Sequence, residues 1–147
     1  PKAFLALSPQ GVGRFGWEAD SWDPVARPYM SITGSCDTSA GEQAVDRLDP
    51  FRYAPAGDVY LAYVLGGFHE TFGMNGLGSP DFLRPDLVPF IRMAAVAFLD
   101  AYVKGCPVAK AWLRSAGLTA ASGGRASLHW KLQDGENVAV PVQACSP

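Results

Sequence analysis

Three short apolar runs, set far apart, constrain the fold more than any other feature of this chain. They are AFLAL at residues 3–7, YMSIT at 29–33 and VYLAYVL at 59–65. Each is rich in aliphatic, β-branched or aromatic side chains and is bounded by Gly, Pro or Asp, as strands are. The connections between them cover residues 8–28 and 34–58, which is 21 and 25 positions. An antiparallel hairpin needs only a few connecting residues, whereas a parallel crossover needs a dozen or more. The spacing therefore predicts three parallel strands. The first run is continuously apolar, which predicts cover on both faces. The first connection leaves room for little helix, and the second predicts a short helix near residues 41–48.

Beyond the third run, the glycine-rich GMNGLGSP (73–80) leads into RPDLVPFIRMAAVAFLDAYVKG (84–105). There Leu87, Ile91, Ala94, Ala95, Phe98 and Tyr102 recur at three- and four-residue steps, the period of an amphipathic helix. Pro85 and Pro89 fall near its start, and Lys104 and Gly105 suit its end. Pro107 opens a second helical stretch, VAKAWLRSAG. In the tail, ASLHWKLQ and VAVPVQA flank Asp134 and Gly135, a turn signal, so a hairpin is expected there, with Pro141 limiting its second strand to an edge. The expected class is α/β, parallel strands with flanking helices, over residues 1–117, followed by a C-terminal extension over 118–147. Such a sheet is incomplete, because the first strand leaves an apolar edge unpaired. The chain also opens inside an apparent core strand, PKAFLAL, without Met or a signal-type region. The expectation is that an upstream segment or a companion chain completes the sheet.

The formal net charge is −2 and no basic block occurs. Nucleic acid is a poor partner, because phosphate binding needs clustered Lys and Arg. No apolar run reaches the ~20 residues of a membrane span. The three cysteines match no zinc spacing. Cys106 and Cys145 flank the tail and form a candidate disulfide, which would favour a secreted or periplasmic location; three ordinary thiols is the other reading. Cys36 is expected to be a small buried packing residue.

In open α/β sheets, ligands bind beyond the carboxyl ends of the strands. The first run leads into Ser8-Pro9-Gln10-Gly11, the second into Gly34-Ser35-Cys36-Asp37-Thr38, and the third into Gly66-Gly67-Phe68-His69. An acid and an imidazole thus emerge from consecutive strand ends, and neighbouring strands would let Asp37 reach His69. A carboxylate bonded to one imidazole nitrogen fixes the tautomer and orients the other nitrogen as a base for a hydroxyl nucleophile. Asp46, Asp49 and Asp58 are rival acids, but none directly follows a strand end, and His129 is expected at the surface. No G-x-S-x-G occurs, and Ser8, Ser35 and Ser39 lack the strand–turn–helix elbow. The nucleophile is therefore expected outside this chain. Phe72 follows the histidine closely and is placed to close one side of a cleft. Phe15, Trp17 and Trp22 fall where a lid or a core contact would lie. Arg47 has two readings, a substrate carboxylate or an ion pair with a nearby Asp.

The pattern LALSPQG…SW…P.Y.SITGSCDT…DRLDPFRYAPAGDVYLAYVLGGFHETFG, with FLDAYVKG…AKAWL after it, resembles the C-terminal half of α/β-hydrolase esterases. The nearest are predicted dienelactone-hydrolase-like enzymes, related to cutinase-like polyester hydrolases and platelet-activating-factor acetylhydrolases. The resemblance spans about residues 4–113. It implies the C-terminal part of an α/β-hydrolase fold, a serine esterase acting on small-molecule esters, Asp37 as the triad acid and His69 as the triad histidine. Cutinase-like members carry a cleft-lining aromatic after the Ser-Pro of the first strand, and Gln10 stands there in this sequence. The family uses no metal or cofactor. A non-catalytic half-fold interaction module and a portion of a prolyl-oligopeptidase-like serine peptidase are the alternatives.

Overall fold

The computed structural model describes residues 1–73, 80–133 and Cys145. A four-stranded sheet runs in the order of the chain: β1 (Phe4–Leu7), β2 (Tyr29–Cys36), β3 (Val59–Phe68) and β4 (Ala126–Lys131). The first three are parallel, with Phe4 opposite Tyr29 and Tyr29 opposite Val59. β4 is antiparallel to β3, with Val59 opposite Lys131 and Val64 opposite Ala126. The helices are α1 (Asp49–Tyr53), α2 (His69–Gly73), α3 (Pro80–Leu83), α4 (Val88–Tyr102), α5 (Pro107–Leu113) and α6 (Gly117–Ala121). This is an α/β architecture, a mostly parallel sheet with flanking helices.

The period-two alternation of β3 divides the core. Tyr60, Ala62 and Val64 face one layer, where Phe90, Ala94 and Phe98 of α4 and Leu113 of α5 cover them. Val59, Leu61 and Tyr63 face the other, against Trp22, Leu48 and Phe51. β2 and β3 are buried along almost their whole length, as strands between two layers must be. α4 buries Phe90, Ile91, Ala94, Phe98 and Ala101, so the predicted stripe is the buried face, while Ala95 and Tyr102 lie at its margin. Gly105, at φ 75°, turns the chain out of the helix in a backbone region that L side chains avoid. Cys106 then leads into α5.

Four expectations need correction. β1 is an outer strand of the described sheet, as expected, but Phe4 and Leu7 are each 45% exposed rather than covered on both faces. Only Leu5 and Ala6 reach the two core layers. His129 is buried, because β4 joins the sheet and turns this residue inward rather than to solvent. Cys145 bonds to Cys36, not Cys106, with the two Cα atoms 4.9 Å apart, and Cys106 is a free thiol. Sequence proximity to the tail favoured Cys106, but the end of β2 is where Cys145 lies. The helix expected near 41–48 is a single 3-10 turn, Asp46–Leu48, continuing into α1. α6 and β4 contribute Leu118, Ala126 and Leu128 to the same core as α4. The glycine-rich loop at 74–79, the Asp134–Gly135 turn and the second tail strand lie outside the described residues.

Candidate active site

The carboxyl ends of the three parallel strands meet at one place. β2 ends in Gly34-Ser35-Cys36, where its register against β3 shifts between Gly34 and Cys36. Such irregularities re-aim side chains at the ends of strands. Gly34 is required there: a Cβ at this position would lie 2.4 Å from the carbonyl oxygen of Gly67. Asp37 comes directly after β2, and its backbone N–H donates to the carbonyl of Gly34 at 3.2 Å. On the neighbouring strand, β3 ends at Phe68 and His69 is the first residue of α2. Thr71 fixes that corner, its hydroxyl accepting from the Phe68 N–H at 3.0 Å and donating to the Phe82 carbonyl at 2.8 Å.

The two side chains meet. His69 Nδ1 lies 3.0 Å from Asp37 Oδ1. The carboxylate is fully buried, whereas the histidine side chain is 43% exposed. Thr33 donates to the second carboxylate oxygen, Oδ2, at 2.7 Å. Every polar side-chain contact of His69 among the described residues is made at Nδ1, with Ser8, Asp37 and Arg47. An ionised Asp37 accepts the Nδ1 proton, which leaves Nε2 as the ring's basic nitrogen.

Two further residues join this pair. Ser8, the residue after β1, places its hydroxyl 2.8 Å from both Asp37 Oδ1 and His69 Nδ1. Arg47 is 1% exposed beneath them. Its guanidinium donates to the carbonyls of Ser8 at 3.1 Å, Pro9 at 3.4 Å and Asp37 at 3.4 Å, and to the Ser39 hydroxyl at 2.6 Å. It lies 3.0 Å from Glu42 Oε2 and 3.6 Å from Asp37 Oδ1. The Glu42 contact is an ion pair without hydrogen-bond alignment, since Oε2 has no hydrogen-bond partner among the described residues. Glu42 Oε1 accepts the Gly11 N–H at 2.6 Å. A buried arginine with this many partners is committed to the scaffold, which removes the substrate-carboxylate reading.

Of the other residues singled out in the sequence, Gln10 lines an apolar groove of about 380 Å³ along β1, together with Pro9, Trp17 and Trp22. Phe72 is 3% exposed and belongs to the core beneath β3, with its ring packed against Gly67, so it has a packing role rather than a cleft-closing one. Trp22 is a core residue stacked on Trp17, and Phe15 is exposed. Asp58 lies at the amino end of β3, away from His69, where it pairs with Lys110 and Arg114. A larger cleft of about 660 Å³ opens at that opposite end; neither Asp37 nor His69 lines it, so its size says nothing about this pair. Among the described residues, no group of three or more His, Cys, Asp and Glu is placed to hold a metal ion.

Sequence reasoning missed Ser8 as a partner of the acid and histidine; of its two readings of Arg47, the 3.6 Å contact with Asp37 bears out the ion pair with a nearby Asp. The sequence signal for Ser8 is its position at the end of the first strand, in line with Asp37 and His69. Comparison with known protein families, with curated proteins and with solved structures finds no match, so the geometry of these four side chains is the ground on which a function has to be argued.

Proposed function

We propose that this chain supplies the acid and the histidine of a serine esterase, and that it is the C-terminal part of an α/β-hydrolase domain. The observation that carries the reading is the 3.0 Å contact between a fully buried carboxylate and Nδ1 of a half-exposed histidine at adjacent parallel strand ends. Asp37 orients the ring and stabilises its charged form. Nε2 takes the proton of a serine hydroxyl as that oxygen attacks the ester carbonyl, then returns it to the departing alcohol. The acyl-enzyme is released by water activated in the same way.

The nucleophilic serine is supplied from outside these 147 residues, on a preceding segment or a companion chain. Ser8 does not fill that role. Its hydroxyl contacts Nδ1, the nitrogen already bonded to the acid, and a nucleophile must address Nε2. The backbone donors of an oxyanion hole come largely from the nucleophile's own turn, so they belong to that same segment or chain. Small-molecule esters are the substrate class.

The test is hydrolysis of short p-nitrophenyl esters by the protein isolated with the chain or segment that accompanies it. His69→Ala is expected to abolish turnover while leaving the fold intact. Near-normal turnover in that variant rejects the assignment. Faster cleavage of peptide anilides than of esters would move the reading to a peptidase built on the same acid and histidine. No turnover of either would leave the chain as an interaction module.

A further inference from the structure

We propose that Ser8 is a positioning residue of the acid–histidine pair, which decides that the His69 ring proton sits on Nδ1. The inference rests on reading Asp37 and His69 as acid and base, and it assigns the third strand end a part in that base.

Ser8 Oγ, Asp37 Oδ1 and His69 Nδ1 form a closed triangle with sides of 2.8, 2.8 and 3.0 Å. The bonds within it have one consistent arrangement. The Ser8 hydroxyl donates to the carboxylate, and a proton on Nδ1 is then accepted by both Asp37 Oδ1 and Ser8 Oγ. If the ring proton moved to Nε2, the bare Nδ1 lone pair would face a carboxylate oxygen at 3.0 Å. Arg47 makes the second acceptor necessary. Its Nη2 is 3.5 Å from Nδ1, and a cation at that distance opposes a proton on this nitrogen. Ser8 supplies the acceptor that keeps the proton in place.

The backbone supports a functional reading. Ser8 has φ 48°, a left-handed conformation unusual for any residue with a Cβ. It also precedes Pro9, and a following proline restricts its neighbour to extended conformations. Such a residue persists only where its surroundings over-determine it, and outliers of this kind cluster at functional sites. The surroundings here are explicit: the Ser8 N–H donates to the Ile32 carbonyl at 2.7 Å, and its own carbonyl accepts from Arg47 Nη1 at 3.1 Å. The strand end is pinned on both sides and the hydroxyl is held against the pair.

The experiment is nitrogen-15 NMR of the His69 ring in this chain, at a pH where the ring is neutral. The expected result is a dominant Nδ1–H tautomer whose ratio to the Nε2–H form falls about tenfold in Ser8→Ala, the factor that one net hydrogen bond carries. Ser8→Gly serves as a second variant should the alanine chain misfold. It removes the same hydroxyl, tolerates the positive φ, and is expected to show the same tautomer change with stability retained. A ratio altered less than about twofold in a folded variant overturns the proposal. The two readings fail separately. A tautomer shift without ester hydrolysis by the wild-type protein leaves Ser8 in its role and removes the esterase. Ester hydrolysis with an unmoved tautomer removes Ser8 alone.

Discussion

Replacing Arg47 by methionine is expected to be the most damaging single change near the site. Arg47 is 1% exposed and lies between Asp37, at 0%, and Glu42, at 1%. Its ion-pair distances are 3.6 Å and 3.0 Å. Methionine fills much of the same space and keeps the chain apolar, so the loss is electrostatic rather than a cavity. Two carboxylates are left buried without their cation, and four hydrogen-bond acceptors, the carbonyls of Ser8, Pro9 and Asp37 and the hydroxyl of Ser39, lose a donor. Removing one partner from a buried pair costs about 3–5 kcal/mol. With a urea dependence of roughly 2 kcal/mol per molar for a chain of this size, the unfolding midpoint should fall by roughly 2 M. Glu42→Gln removes one of the stranded charges and retains an oxygen for the Gly11 N–H. The double variant should therefore recover about 1–3 kcal/mol relative to the sum of the single changes. Arg47→Lys should fall between wild type and methionine, since it keeps the charge and loses the fork. The assay is equilibrium urea unfolding monitored by tryptophan fluorescence. A loss below about 1 kcal/mol for Arg47→Met, the value of a solvent-exposed pair, would refute the claim that this cation organises the site.

Two other perturbations test the surroundings. Gly34→Ala places a Cβ within 2.8 Å of three backbone atoms of Val64 and Gly67, none of which can rotate away. It should cost roughly 1–3 kcal/mol by overpacking and weaken the Asp37–His69 contact; a variant with unchanged melting temperature contradicts this. His129 is buried, Nδ1 has no hydrogen-bond partner among the described residues, Nε2 bonds Ser127 Oγ at 2.9 Å, and burial holds its pKa below the ordinary value. The unfolded chain then binds the proton more readily than the folded one, so stability is full at high pH and falls as pH drops below about 6.5. His129→Gln should flatten that part of the pH–stability curve, and an identical slope in the variant would exclude His129 as its source.

The parallel sheet was legible because its strands are uniform apolar runs with long connections, a pattern that few other arrangements satisfy. α4 was legible because its buried face repeats at the helical period over four turns. The meeting of Asp37 and His69 came from placing both at the ends of adjacent strands. The features that were not legible depend on the third dimension. β1 reads as a core strand, yet cover for Phe4 and Leu7 depends on what lies beyond it in the sheet. His129 reads as polar tail, and only the pairing of β4 with β3 buries it. The disulfide partner of Cys145 is set by which thiol lies within reach, and its loop spans 109 positions of sequence. Ser8 lacks an elbow, which is a statement about nucleophiles; no local pattern announces a hydroxyl that serves another residue's proton.

In the proposed mechanism His69 presents Nε2 to a serine that lies elsewhere. Labelling with a fluorophosphonate probe tests this most directly, in the protein isolated with the chain or segment that accompanies it. The predicted result is a single labelled serine outside residues 1–147, with labelling lost in His69→Ala and strongly slowed in Asp37→Asn. Undiminished labelling in His69→Ala, or a label carried by Ser8 itself, would contradict it.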